Sequence, residues 1–180
     1  MTEQLTDKEL VSACLKNNKA AQKQLFETYA RQMLGLCYRY VNDYDVAHDL
    51  MQDGFIKVFK NLETYRGDSA LKSWIRRIMV NCCLEHIRRE RNRTKTSIND
   101  AEHLAYDAPV YHDFLEMDLV MSAISQLPST MRTVLNLFAI EGYSYSDIAG
   151  QLGLEESSVR SNIHRARKQL GEILTAKTKV

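Results

Sequence analysis

Residues 143–170 restrict the fold more than any other part of the chain, because two helices and the turn between them can be read there position by position. The run is Tyr143-Ser-Tyr-Ser-Asp-Ile-Ala-Gly-Gln-Leu-Gly-Leu154, followed by Glu155-Glu-Ser-Ser-Val-Arg-Ser-Asn-Ile-His-Arg-Ala-Arg-Lys-Gln-Leu170. Ser144 with Asp147 three residues on makes a capping box that starts a short helix. Ile148, Ala149 and Leu152 form its inward side. Gly153 stands where that helix must stop, since glycine takes a left-handed conformation at little cost, and Leu154 fills the turn. In the second helix Val159, Ile163, Ala166 and Leu170 recur at helical steps and make one buried stripe. The opposite side carries Ser157, Ser158, Ser161, Arg165 and Lys168, flanked by Arg160, Asn162, His164 and Arg167. Small hydrogen-bonding residues followed by arginines suit a helix that enters a major groove. A helical hairpin with a solvated basic face is the plainer alternative. The tight turn, the small Ala149 and the basic outer face together favour a DNA-binding helix-turn-helix.

A net charge of +1 over 180 residues looks wrong for a nucleic-acid binder. Its distribution removes the difficulty. Residues 64–93 carry eight Lys/Arg against three Asp/Glu, and residues 157–180 carry six against one. Between them, residues 94–118 carry one against six. Two basic surfaces separated by an acidic stretch suggest two contacts on one polyanion.

Periodicity is helical nearly throughout, and only two prolines and seven glycines interrupt it. Thr6 with Glu9 predicts a capping box for a helix ending near Lys16. Asn17-Asn18 breaks that helix, a second runs from about Lys19 to Val41, and a third, capped by Asn42-Asp43, from about Tyr44 to Leu62. A loop over residues 63–69 leads to a fourth helix, about Ala70 to Arg91. Residues 94–113 are polar, acidic and without period, and read as a linker. Helices resume near Phe114, and Pro128 fits the first turn of the next one, which Gly142 ends. The expected class is all-α: two small helical domains, residues 1–93 and 115–180, joined by a flexible acidic linker over residues 94–114.

Three features of the first domain exceed what a plain bundle needs. Asp45, Asp49 and Asp53 recur every four residues on the third helix, with His48 and Gln52 beside them. Like charges at that spacing repel by roughly 0.2–0.5 kcal/mol per pair, so the row either is simply solvated or faces a basic protein partner. The loop Tyr65-Arg66-Gly67-Asp68-Ser69 offers an aromatic ring, a cation and close backbone approach, the properties that hold unstacked single-stranded bases. A surface turn with Ser69 capping the next helix is the alternative. That helix has apolar residues on two sides, Leu71, Trp74, Ile75, Ile78 and Cys82 against Val80, Leu84 and Ile87. It also carries Arg76, Arg77, Arg88, Arg89, Arg91 and Arg93. Gly54 weakens the third helix by about 1 kcal/mol, which is reasonable where another helix approaches closely.

Several classes are excluded or disfavoured. Adjacent Cys82 and Cys83, with Cys14 and Cys37, lack the spacing of a zinc ribbon or disulfide framework. A metal on Cys82, Cys83 and His86 is the weak alternative to reduced, buried thiols. No phosphate loop or catalytic triad is present, so no enzyme activity, cofactor or metal is expected. No stretch approaches the roughly 18–20 apolar residues of a membrane span. The first residues have neither the basic nor the apolar region of a secretory signal. A cytoplasmic protein without membrane insertion is expected.

Taken together, three strings resemble the sigma-70 family of RNA polymerase sigma factors, in its small extracytoplasmic-function (ECF) group. They are Asp45-Val-Ala-His-Asp-Leu-Met-Gln-Asp-Gly-Phe-Ile-Lys-Val-Phe59, then Tyr65-Arg-Gly-Asp-Ser-Ala-Leu-Lys-Ser-Trp-Ile-Arg-Arg-Ile78 with Asn81, and Leu127-Pro-Ser-Thr-Met-Arg-Thr-Val-Leu135 leading into residues 143–167. The resemblance spans about residues 20–93, similar to region 2, and 115–174, similar to region 4. It implies that Asp45, His48, Asp49, Gln52 and Asp53 dock on core RNA polymerase. It implies that Tyr65, Arg66, Gly67, Asp68, Ser69, Lys72, Trp74, Arg77 and Asn81 hold single-stranded −10 promoter DNA. It further implies that Ser157, Arg160, Ser161, His164, Arg165 and Lys168 meet duplex −35 DNA, and that the linker threads near the RNA exit path. Members of the group are commonly held inactive by an anti-sigma factor. Asn162 and His164 depart from some relatives, so the −35 preference does not transfer. A freestanding helix-turn-helix regulator, with the first domain as an oligomerisation or effector module, is the rival reading. A protein-interaction adaptor is a weaker third.

Overall fold

The computed structural model describes residues 6–96 and 119–178, all of whose regular elements are helical. They are α1 (Asp7–Leu15), α2 (Lys19–Val41), α3 (Tyr44–Asn61), α4 (Leu71–Thr96), α5 (Leu119–Ser125), α6 (Ser129–Leu135), α7 (Tyr145–Leu152) and α8 (Glu156–Thr178). A 3₁₀ turn at Leu62–Thr64 and a π turn at Asn136–Ile140 complete the set. The chain divides into two compact units. One comprises Met1–Tyr38 with Tyr44–Glu85, the other Arg39–Asp43 with His86–Val180.

Local chemistry explains the boundaries in the first unit. The Thr6 hydroxyl accepts the Glu9 amide while the Glu9 carboxylate accepts the Thr6 amide at 2.9 Å, so α1 starts as its sequence predicts. Asn17 turns the chain with φ 58°, and Asn18 Oδ1 accepts the Ala20 and Ala21 amides to open α2. Asn42, at φ 55°, makes the next left-handed corner before α3. The core joins Leu25, Met33 and Leu36 of α2 to Ala47, Phe55 and Val58 of α3 and to Leu71, Ile75 and Met79 of α4, each at most 2% exposed.

α4 is buried on both sides, as its two apolar stripes predict. Leu71, Ile75 and Cys82 lie in the core, and so do Val80 and Leu84. It continues five residues beyond the expected end, to Thr96. Gly54 has its explanation there: a Cβ at this position would overlap the Met79 sulfur. The Met79 side chain of α4 fills the space that a side chain at position 54 would take.

In the second unit α8 packs against α5, α6 and α7. Ile124, Leu127, Leu135 and Ala166 form a buried cluster, with Met121, Met131, Leu170 and Ile173 around it. Pro128 occupies the cap position, one residue outside the first turn of α6 where the sequence suggested it, and its carbonyl accepts the Arg132 amide at 2.9 Å. Arg132 is buried but well supplied, donating Nη1 to the Ser125 carbonyl at 3.0 Å. The helical stretch ends at Gly142, with φ 75°. The expected resumption of helix near Phe114 lies outside the described residues as far as Leu119.

Candidate nucleic-acid interface

The acidic row stands on the open side of α3. Asp45, Asp49, Gln52 and Asp53 are exposed, and His48 is half-buried. Tyr44 stacks near His48 with ring centroids 6.4 Å apart, and Gln52 Nε2 meets His48 Nδ1 at 3.2 Å. Ile56, half exposed, continues the same face one turn on. Burial of Ala47, Leu50, Met51 and Phe55 on the other side of α3 is what turns the carboxylates outward.

The loop of residues 65–69 is a built turn. Tyr65 Oη donates to the Ser69 carbonyl at 2.7 Å, and Gly67, at φ 80°, supplies the corner. The Tyr65 ring lies 5.6 Å from Trp74, tilted by 56°. Both rings are half-buried, so Trp74 is neither a core residue nor a free platform. Arg66, Asp68, Ser69, Arg77 and Asn81 are exposed. Trp74, Arg77 and Asn81 share one side of α4, beside the loop. Lys72 is exposed in the first turn but falls about 160° around the helix from Trp74 at about 100° per residue.

Sequence reasoning missed what positions this loop. Asp7, in the first turn of α1, accepts the Leu71 amide at the start of α4 at 3.1 Å and the Tyr29 hydroxyl at 3.4 Å. One carboxylate thus caps a helix 64 positions away in the chain. Burial, then the Asp7 charge, pushes the Tyr29 phenol up. Partial burial, then Asp7 and Asp68, does the same to Tyr65, so both hydroxyls stay protonated as donors. The Lys8 side chain runs over Gly67, 3.3 Å from where a Cβ would stand. Next to Thr6 and Glu9, Asp7 reads only as a residue of its own helix, and no local signal marks the longer contact.

The helix-turn-helix forms as its residues dictate. Ser144 and Asp147 complete their capping box, the Ser144 Oγ accepting the Asp147 amide at 3.1 Å. Gly153 closes α7 at φ 60° and the Leu154 amide reaches the Ala149 carbonyl at 3.0 Å. Val159, Ile163 and Ala166 are buried. Ser157, Ser161, His164 and Lys168 are exposed along the opposite ridge, so His164 does not pack into the core. Exposed Arg165 lies to one side, 3.4 Å from Asn162 Oδ1.

Arg160 lies to the other side, within a second feature the sequence did not disclose. The Phe138 and Tyr145 rings stack in parallel, centroids 4.9 Å apart and 10° between planes. Arg160 covers the Tyr145 ring at 4.9 Å, and Arg167 covers Phe138 at 5.3 Å. Glu156 pairs with Arg160 at 3.6 Å. The π turn carries Phe138, and Tyr145 sits inside the capping box, so two local devices bring the rings together.

All four cysteines are buried, and no group of three metal-binding side chains occurs among the described residues. No described helix is long and apolar enough to cross a membrane.

Known proteins match the chain in two regions. The Sigma-70 region 2 family matches residues 25–93, and the Sigma-70, region 4 family matches residues 117–170. The chain is 33% identical to the ECF RNA polymerase sigma-E factor of Haemophilus influenzae, over 94% of this chain and 96% of that protein. It is 34% identical to the RNA polymerase sigma-H factor of Pseudomonas aeruginosa, over 97% and 96%. The fold is similar to that of CnrH in its complex with the cytosolic domain of CnrY, with a TM-score of 0.51 and 25% identity over 94% of this chain and 97% of that one. The sigma factor RpoE in complex with the anti-sigma factor NepR from Bartonella quintana shares the fold, with a TM-score of 0.51 at 22% identity over 85% and 96%. With both regions matched in order along one chain, the protein belongs to the sigma-70 family, in its ECF group.

Proposed function

We propose that this sigma factor binds bacterial core RNA polymerase through α3, captures single-stranded −10 DNA with residues 65–81, and reads duplex −35 DNA with α8. In this reading residues 1–93 and 115–180 are the two working domains and residues 94–114 their tether, and the protein acts in the cytoplasm, where the polymerase is. The observation that carries it is the ordered match of region 2 and region 4 over one chain. Two tethered contacts reinforce one another through effective concentration, which fits a chain of low net charge. Opening the −10 bases costs a few kcal/mol, offset by stacking on an aromatic pair such as Tyr65 and Trp74. An anti-sigma factor is a further expected partner, by analogy with the complexes of similar fold.

The test is to mix the purified chain with bacterial core polymerase and sequence run-off transcripts from a promoter-fragment library. Discrete starts that share two upstream elements are expected. No co-elution with core, together with protection of a palindromic duplex by the free protein, would replace this reading with a freestanding regulator. Reversing two carboxylates, Asp49→Arg with Asp53→Arg, is expected to weaken core affinity by on the order of several kcal/mol through like-charge contact. Unchanged affinity in a titration with labelled core would remove α3 from the interface.

A further inference from the structure

We infer that the four-layer stack of Arg167, Phe138, Tyr145 and Arg160 is a preformed clamp for the DNA phosphate backbone, distinct from the base-reading ridge of α8. The inference rests on the reading of α8 as the helix that enters duplex DNA.

The layers are specific. Two parallel rings form the centre, and one guanidinium covers each outer face, at 4.9 and 5.3 Å. A guanidinium on a ring face is attracted by the ring quadrupole, and its planar fork keeps N–H donors free at the edge. Both arginines are exposed. Stacking therefore restrains the two side chains while leaving them exposed, Arg160 with one nitrogen turned to Glu156, so less rotamer freedom is lost when an anion arrives.

Position on the helix separates the clamp from the ridge. Ser157, Ser161, His164 and Lys168 run along the middle of the exposed side of α8. Arg160 and Arg167, seven residues apart, lie on the flank that faces the π turn and the start of α7. At 1.5 Å per residue they stand about 10.5 Å apart along the axis. In a helix-turn-helix the reading helix lies in the groove while the preceding helix crosses the backbone. The flank between those helices is where phosphates pass. Arginines held there contribute charge and orientation, with no base preference of their own. Tyr145 and Phe138 act through them as positioning residues. Glu156, paired with Arg160 at 3.6 Å, adds to the restraint and must yield or be bridged when a phosphate binds.

The test uses holoenzyme assembled from the full chain and core polymerase, on a promoter fragment that the wild-type holoenzyme itself selects. Apparent affinity is measured across a salt series for Phe138→Leu, Tyr145→Leu, Tyr145→Phe, Arg160→Gln and Arg167→Gln, and each affinity is repeated on single-base −35 substitutions. Phe138→Leu and Tyr145→Leu are expected to weaken binding by roughly two- to fivefold. Each arginine variant is expected to lower the slope of log affinity against log salt by about one. The ranking of −35 substitutions stays unchanged in all of them, and Tyr145→Phe, which keeps the ring, restores wild-type behaviour. Three results overturn the clamp: wild-type affinity and slope in both leucine variants, a changed base ranking in either arginine variant, or a loss in Tyr145→Phe equal to that in Tyr145→Leu. Thermal unfolding of each variant identifies a simple folding loss, and the arginine variants, exposed and outside the core, keep the test open if a leucine variant unfolds. Failure of the wild-type protein to bind core or select any fragment would instead count against the sigma reading of this chain.

Discussion

The loop of residues 65–69 and the turn of the helix-turn-helix are the two elements proposed to meet DNA, and they are held in different ways. The α7 to α8 turn is set by residues within ten positions of one another: Ser144 with Asp147, Gly153, and the Leu154 amide on the Ala149 carbonyl. The loop has its own local bond, from Tyr65 Oη to the Ser69 carbonyl, but the helix it leads into is capped by Asp7 from 64 positions away, and that helix packs its Met79 side chain over Gly54 of α3. A local device forms with its own helix. A distant one forms only after the bundle has closed, so its geometry is as stable as the packing beneath it.

That contrast can be broken in order of effect. Gly54→Val forces a side chain into the Met79 sulfur and is expected to cost about 1–3 kcal/mol by overpacking. Hydrogen exchange on the full chain should show the loss of protection in α3 and α4 while α7 and α8 keep theirs. Equal loss in both would mean that the two elements share one cooperative unit. Asp7→Ala removes the remote cap and is expected to cost about 1–2 kcal/mol in denaturant unfolding. It should also weaken binding to a single-stranded −10 oligonucleotide by the holoenzyme, with −35 dependence retained. Wild-type −10 binding would show that the loop does not need α1.

Ser144→Ala is the local counterpart, expected to cost about 1 kcal/mol, with fraying confined to the first turn of α7. A loss that spread to the 65–69 loop would erase the distinction. The smallest effect is in acid. Thr6, through its hydroxyl and then its backbone amide, holds the Glu9 carboxyl below its ordinary value of 4.5. The folded state therefore favours the ionised form. The contribution is fully present above that value and is lost as pH falls below it, through the lower folded value. Glu9→Gln is expected to flatten this acid dependence of unfolding, and an unaltered slope would remove the capping box as its source.

Most of what could be read in the sequence was local chemistry. The bounds of α2, both capping boxes, the corner at Gly153 and the buried stripe of α8 follow from residues close in the chain. The acidic row stands exposed because its helix has one apolar face. What stayed hidden were contacts between elements. Gly54 signalled a close approach, but Met79 as the approaching residue depends on the register of two helices. The ring stack needed a π turn at Asn136–Ile140 to aim Phe138, and nothing in Asn-Leu-Phe-Ala-Ile announces five-residue spacing. Asp7 stands one residue from Thr6 in the first turn of its own helix, and nothing near it in the chain marks its bond to the Leu71 amide. Pro128, expected in the first turn because its missing N–H costs little there, stands one position earlier, at the cap of α6.

All four thiols, Cys14, Cys37, Cys82 and Cys83, sit buried in the first unit, and no cysteine occurs in the sequence after position 83. Burial pushes Cys14 up, and it pushes Cys82 up despite the neighbouring Lys57 cation. Both are thus poor nucleophiles while the bundle is closed. The chain thereby carries a reporter without any label having been added. A thiol reagent remains unspent until the bundle of α1 to α4 opens, and stays blind to any opening of the helix-turn-helix, so its rate times the breathing of one half of the molecule against a silent other half.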